Sequence, residues 1–165
     1  KRGYNDLRLW RKSDLFKDNT RESAESWPMA ENCWVAVGGG EAEVNCRLVV
    51  REEDRPLQET IKDLLKDIDE EKYEIRDYCI PWEREAPLPV WRRRLPGDWI
   101  QFNYGRKKLK RWLIDRKIPA EKRDKLLCLA WQQQILWVPE LVKGTGPFKK
   151  QPGGYYLLVC IKKIR

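Results

Sequence analysis

The sequence contains no histidine. That removes the commonest general acid and base and the commonest metal ligand together. Its five cysteines, Cys33, Cys46, Cys79, Cys128 and Cys160, are odd in number and form no Cys-x-x-Cys pair, which argues against a zinc site. Four of them lie in apolar, strand-like runs, so the expected state is buried, reduced thiols in a cytosolic protein. No apolar run approaches a membrane span and no signal peptide opens the chain. There is no internal repeat and no low-complexity tract. The chain starts at Lys1 without an initiator Met; it reads as a fragment, although trimming of a tag would look the same.

What is present is enough for one domain with a sizeable core, or one domain and a short appendage. The chain has 165 residues, 41% hydrophobic and 36% charged, with a mean hydropathy of −0.76. Nine Trp are expected mostly in the core, because each buries a large apolar area.

Charge is unevenly placed. The whole chain nets +8, yet residues 91–125 alone hold 13 Lys and Arg against 4 Asp and Glu. Residues 1–90 are net acidic. A concentrated basic block beside an acidic half suits one face made for a polyanion.

The basic block has a legible local structure. Pro96-Gly97 suits the centre of a type II turn. Asp98–Tyr104 alternates as a strand with Ile100, Phe102 and Tyr104 on one face. Gly105 ends it. Lys107–Lys117 is predicted as a basic helix stopped by Pro119, with Leu109, Trp112 and Leu113 on one stripe. Arg106, Lys107, Lys110, Arg111 and Lys117 fall outside that stripe. Arg116 falls near it, so its head must snorkel out or find a partner.

Elsewhere, Tyr4–Lys12 reads as a strand and Ser13–Ala30 as a long loop. Asn32–Val37 and Ala42–Arg51 flank Gly38-Gly39-Gly40. A phosphate-cradling loop should lead into a helix and carry Lys followed by Ser or Thr; here the next residues are strand-like and begin with acids, so the triplet is read as a hairpin turn. Asp54 can cap a helix running to about residue 70, whose exposed face is acidic. Asp67, Asp69, Glu70 and Glu71 form a candidate metal or acid/base group, but nothing in the sequence converges on them and a solvated helix end is the preferred reading. Glu74–Pro81, Leu88–Arg94, Leu127–Trp131, Gln134–Val138 and Tyr155–Ile161 are predicted strands. Ala120–Leu126 is a short helix and Pro139–Gly154 a loop. The fold class is α+β, with several short strands in a sheet or sandwich and about three helices.

Three runs in order, RRRLPGD (92–98), GRKKLKRWLIDRKIPAEKRDKLL (105–127) and ILWVPEL (135–141), resemble the C-terminal domain of bacterial tRNA(Ile)-lysidine synthetases. That family has Arg before Pro-Gly-Asp, a Gly followed by a Lys-rich helix, a closing Ile-Pro and an apolar strand ending in Val-Pro-Gly. Glu140 stands where the family has that last Gly, at the position of a tight turn. The resemblance implies a module that holds a tRNA acceptor stem. It also implies a parent ligase that uses ATP to join lysine to the anticodon cytidine of tRNA(Ile). The family's SGGxDS motif belongs to a catalytic N-terminal domain and is absent here, so residues 1–165 are expected to be a single C-terminal tRNA-binding domain with no catalytic residue or cofactor of its own. ATP and lysine would bind the missing part.

Such a module would grip backbone and shape, since A-form RNA hides its base edges in a narrow groove. The expected phosphate contacts are Arg92, Arg93, Arg94, Arg106, Lys107, Lys108, Lys110, Arg111 and Lys117. On an alternating strand Arg92 and Arg94 point away from Arg93, and at least one of the three is expected to be structural, paired with Asp98 or Asp115. Trp91 and Trp99 are candidates for stacking on an unpaired base, set against core packing. The expected partners are tRNA(Ile) and the rest of the same polypeptide. The alternative is a protein-interaction domain whose basic face docks an acidic partner, such as the acidic half of a second copy in a homodimer.

Overall fold

A computed structural model describes residues 25–50 and 55–165. The strand expected over Tyr4–Lys12, most of the loop over 13–30, and the Asp54 cap lie outside the described residues. The elements are β1 (Ser26–Pro28), β2 (Val35–Val37), β3 (Ala42–Val50), α1 (Leu57–Leu65), β4 (Tyr73–Trp82), β5 (Val90–Arg92), β6 (Trp99–Phe102), β7 (Gly105–Lys108), α2 (Leu109–Asp115), α3 (Ala120–Arg123), β8 (Cys128–Trp131), β9 (Gln134–Val138), β10 (Val142–Lys143) and β11 (Tyr155–Ile164). With three helices and two sheets among the described residues, the fold is α+β.

The first sheet runs β1-β5-β8-β9-β6-β7, with β10 also on β9; the second runs β2-β3-β11-β4. All pairings are antiparallel except β9 with β6, where Gln134 lies opposite Trp99 and Ile135 opposite Ile100. A parallel pair needs a crossover. Here the crossover is the basic segment itself.

The sheets face each other across a core of Val37, Val44, Tyr78, Ile80, Trp82, Leu157, Val159 and Ile161 from one side and Trp91, Leu129, Leu136 and Trp137 from the other. Tyr78 stacks on Trp137 at 5.4 Å between centroids. All eight Trp among the described residues are buried or half-buried. On the outer face of the first sheet, Leu109, Trp112 and Leu113 of α2 pack on Cys128, Ala130, Ile135 and Val138. On the outer face of the second, α1 borders Val49, Val50 and Tyr156 across a 270 Å³ cavity. The two helices therefore lie on opposite sides of the sandwich, and acidic α1 is turned away from basic α2.

The turns follow the sequence closely. Gly38, Gly39 and Gly40 all take positive φ and join β2 to β3 as a hairpin. Leu95–Asp98 closes with Asp98 N–H donating to Leu95 O at 3.2 Å, and Gly97 has φ +88°, the type II geometry. The turn after Pro139 forms although it holds Glu rather than Gly: Leu141 N–H donates to Val138 O at 3.0 Å, and Glu140 takes φ +72°. Its carboxylate reaches Arg76 at 3.3 Å and Lys163 at 3.9 Å on the second sheet.

Gly144 is required by close approach. A Cβ there would sit 2.8 Å from Ile100 Cγ1 and 3.1 Å from the Gln101 carbonyl. Gly144→Ala should therefore destabilise the fold by about 1–3 kcal/mol, as overpacking does; an unchanged urea midpoint would contradict that packing.

Candidate nucleic-acid interface

The helix predicted over Lys107–Lys117 is shorter than expected. Gly105–Lys108 is instead a strand, β7, paired to β6 with Phe102 opposite Gly105 and Trp99 opposite Lys108. A run of Arg and Lys shows no apolar alternation of its own; the pairing with β6 makes it a strand. The helix starts at Leu109 and buries the predicted stripe of Leu109, Trp112 and Leu113.

The helix ends in a Schellman arrangement. Ile118 N–H donates to Leu113 O at 3.0 Å and Lys117 N–H to Ile114 O at 2.9 Å. Lys117 holds the left-handed position of that cap, φ +58°, where Gly is the usual residue. Arg116 finds the partner its position calls for, its guanidinium lying 4.7 Å from the Trp112 ring centroid.

The nine expected contact residues separate into two groups. Arg92 is buried, 7% exposed. Its guanidinium donates to both Asp98 oxygens at 2.8 Å, and also to the Gln132 carbonyl at 2.8 Å and the Arg93 carbonyl at 2.9 Å. It is the structural Arg of the three, with Asp98 as its partner. Arg93 donates to the Lys125 carbonyl at 2.7 Å and lies 5.3 Å from the Trp27 ring centroid. Arg94 pairs with Asp124 at 2.7 Å. These three fasten the crossover to its surroundings, and Arg92 presents almost no surface to a ligand.

The second group is Arg106, Lys107 and Lys108 on β7, Lys110 and Arg111 on α2, and Lys117 in the cap that ends α2. Arg106 lies 3.7 Å over the Trp99 ring, which accounts for the half-buried Trp99. Lys107 donates to Asp115 at 2.7 Å, and Arg111 approaches Asp115 at 4.0 Å. Lys108, Lys110 and Lys117 are exposed, with no carboxylate against them among the described residues. Because β7 runs directly into α2, which is about 10 Å long, or about one Debye length at 0.1 M salt, neighbouring cations along the junction reinforce one another.

Among the described residues, Asp115 is the one acid paired within this group. A hydrogen bond from Lys107 holds its carboxyl below the usual carboxylate range, and the positive charges of Lys107 and Arg111 act in the same direction. A depressed carboxylate stays ionised at neutral pH, and the pair weakens only as pH falls through that lowered value. Asp115 thus offsets part of the charge but leaves an excess.

Neither Trp proposed for stacking is free for it: Trp91 is fully buried and Trp99 is capped by Arg106. The exposed aromatic is Tyr104, 81% accessible. The alternation read from Asp98 to Tyr104 turned it inward with Ile100. The strand ends at Phe102, and the hairpin turn puts Tyr104 outside.

Burial pushes the Cys46, Cys128 and Cys160 thiols up to about 12, so they remain protonated at neutral pH. Among the described residues, no group of three or more Cys, Asp or Glu could hold a metal ion, and no helix is long and apolar enough to cross a membrane.

Residues 90–157 match the family model described as the TilS substrate C-terminal domain. Three curated relatives are similar to the chain over short segments, and each is a tRNA(Ile)-lysidine synthase. The protein of the Aster yellows witches'-broom phytoplasma is 43% identical over 56 residues, 33% of this chain and 13% of that relative. The Symbiobacterium thermophilum protein is 41% identical over 60 residues, 35% and 12% of the two chains. The Lactiplantibacillus plantarum protein is 45% identical over 60 residues, 34% and 13%. The matched segment therefore spans only about an eighth of these relatives. A crystal structure of a TilS C-terminal domain has the same fold, with a TM-score of 0.57 and 16% identity, covering 86% of this chain and 98% of that one.

Proposed function

Since the chain carries a C-terminal domain of the tRNA(Ile)-lysidine synthetase family over residues 90–157, we propose that it is the tRNA-gripping module of such a ligase. Its task is to hold the stem of tRNA(Ile), while the lysine-joining, ATP-dependent chemistry on the anticodon cytidine belongs to another part of the same polypeptide in the cytoplasm. The observation that carries this reading is the group of six cations on β7, α2 and the cap after it, with a single carboxylate paired among them in the described residues. Lys acts as a mobile point charge and Arg forks onto phosphate, and a rigid strand–helix junction presents both.

The test is a salt titration of tRNA binding by the 165-residue chain. Four to six phosphate contacts should give a slope of log K against log salt of roughly −3 to −5. If tRNA binding is undetectable at low salt while self-association is readily measured, the basic face serves a protein partner instead.

A further inference from the structure

We propose that Tyr104 is a stacking platform for an unpaired RNA base adjoining the end of a gripped stem. This rests on the tRNA-binding reading above and names what the tip of the site would recognise.

Tyr104 lies in the two-residue turn between β6 and β7 and is the most exposed large apolar side chain among the described residues, at 81%. Its ring is stacked on Phe102, 5.2 Å between centroids and 5° from parallel. Phe102 in turn packs against Leu109, Trp112 and their neighbours. One face of the Tyr ring is thus fixed to the core and the other is open to solvent. An exposed aromatic of this kind costs hydration and adds nothing to the core, whereas an aromatic ring held rigid from behind stacks a base with little ordering cost.

The surroundings choose the occupant. Arg106 and Lys108 follow on the same strand, two and four residues on, about 7 and 13 Å along β7. At these separations, phosphates held at Arg106 and Lys108 place a nearby base within reach of the tip. Bases inside a stem are covered on both faces by their neighbours. Only an unpaired or terminal base offers a free face, and the cations make a nucleotide the favoured source of that face over an apolar peptide.

The experiment uses the full 165-residue chain and three RNA hairpins sharing one stem: blunt, with a one-nucleotide 5′ overhang, and with a one-nucleotide 3′ overhang, the overhanging base being 2-aminopurine. Affinity is read by anisotropy of a dye on the loop, and stacking by quenching of 2-aminopurine. Wild type should bind one of the overhang hairpins more tightly than the blunt one and quench its fluorescence. Tyr104→Ala should lose that quenching and about 5- to 100-fold in affinity for that hairpin, with blunt-stem binding unchanged; Tyr104→Phe should keep both. If Tyr104→Ala binds all three hairpins as wild type does, the platform is overturned while the basic-face reading stands. If wild type binds no hairpin at low salt, both readings fall.

Discussion

Reversing Lys108, Lys110 and Lys117 together to Glu should weaken tRNA binding by roughly a hundredfold or more and leave the fold unchanged. The three side chains are exposed and touch no carboxylate among the described residues, so no described ion pair depends on their charge. The substitution removes six units of a net +8. An exposed pair at contact distance is worth about 1 kcal/mol in water; losing three such attractions and gaining three repulsions amounts to several kcal/mol, at 1.4 kcal/mol per tenfold. The salt slope should flatten with the affinity, because fewer counterions are released. The control is Lys149→Glu with Lys150→Glu, two exposed lysines in the loop before β11, which should move the affinity much less. Equal losses from the two variants would mean that net charge, rather than this surface, governs binding. Filter binding across a salt series, with circular dichroism to verify folding, measures all of this.

The second large effect is on stability. Asp98→Ala should cost about 3–5 kcal/mol, because it leaves a guanidinium buried without its counter-charge. Asp98 is 3% exposed and Arg92 7%. The Asp98 carboxylate accepts both Arg92 amino groups and the Leu95 N–H at 2.7 Å, so it holds the type II turn as well as the pair. A loss of that size is a large share of the 5–15 kcal/mol that keeps a domain folded. Replacing both partners, Arg92→Met with Asp98→Leu, should recover a substantial part, since the expensive species is the unpaired charge. Urea denaturation of the single and double variants decides it: additive losses would show that the two side chains act independently. Where Asp98→Ala remains folded at low temperature, its salt slope for tRNA should match that of wild type, separating this Arg from the cations on β7 and α2.

The sequence carried its turns more openly than its strands. Pro96-Gly97 and the glycine triplet each state a backbone geometry locally, and each forms as read. The stripe Leu109, Trp112 and Leu113 likewise announces a buried helix face. β7 was hidden because Arg106, Lys107 and Lys108 have no apolar rhythm; their conformation comes from hydrogen bonds to β6. β10, two residues inside a Gly-rich loop, was hidden for the same reason. Within the basic block, residue type was legible and availability was not. Arg94 meets Asp124 from 30 residues away, and Lys107 meets Asp115 across a strand–helix junction. The sequence offered Asp98 or Asp115 as partner to an unspecified member of Arg92, Arg93 and Arg94; the fold selects Arg92 with Asp98.

Arg92 grips Asp98 at one end of the crossover and the Gln132 carbonyl at the other, while Trp99 N–H donates to Gln133 O at 3.1 Å. The two ends of the cationic segment therefore meet, closed by one guanidinium. A segment whose ends coincide behaves as a closed loop: its exposed positions can be recoded without shifting the strands on either side, while β8 and the buried stripe of α2 stay fixed by the core. Lengthening an exposed turn within it costs little, since doubling a flexible loop adds only about 0.6 kcal/mol in closure entropy, so the cationic surface can vary while the sandwich that carries it stays the same.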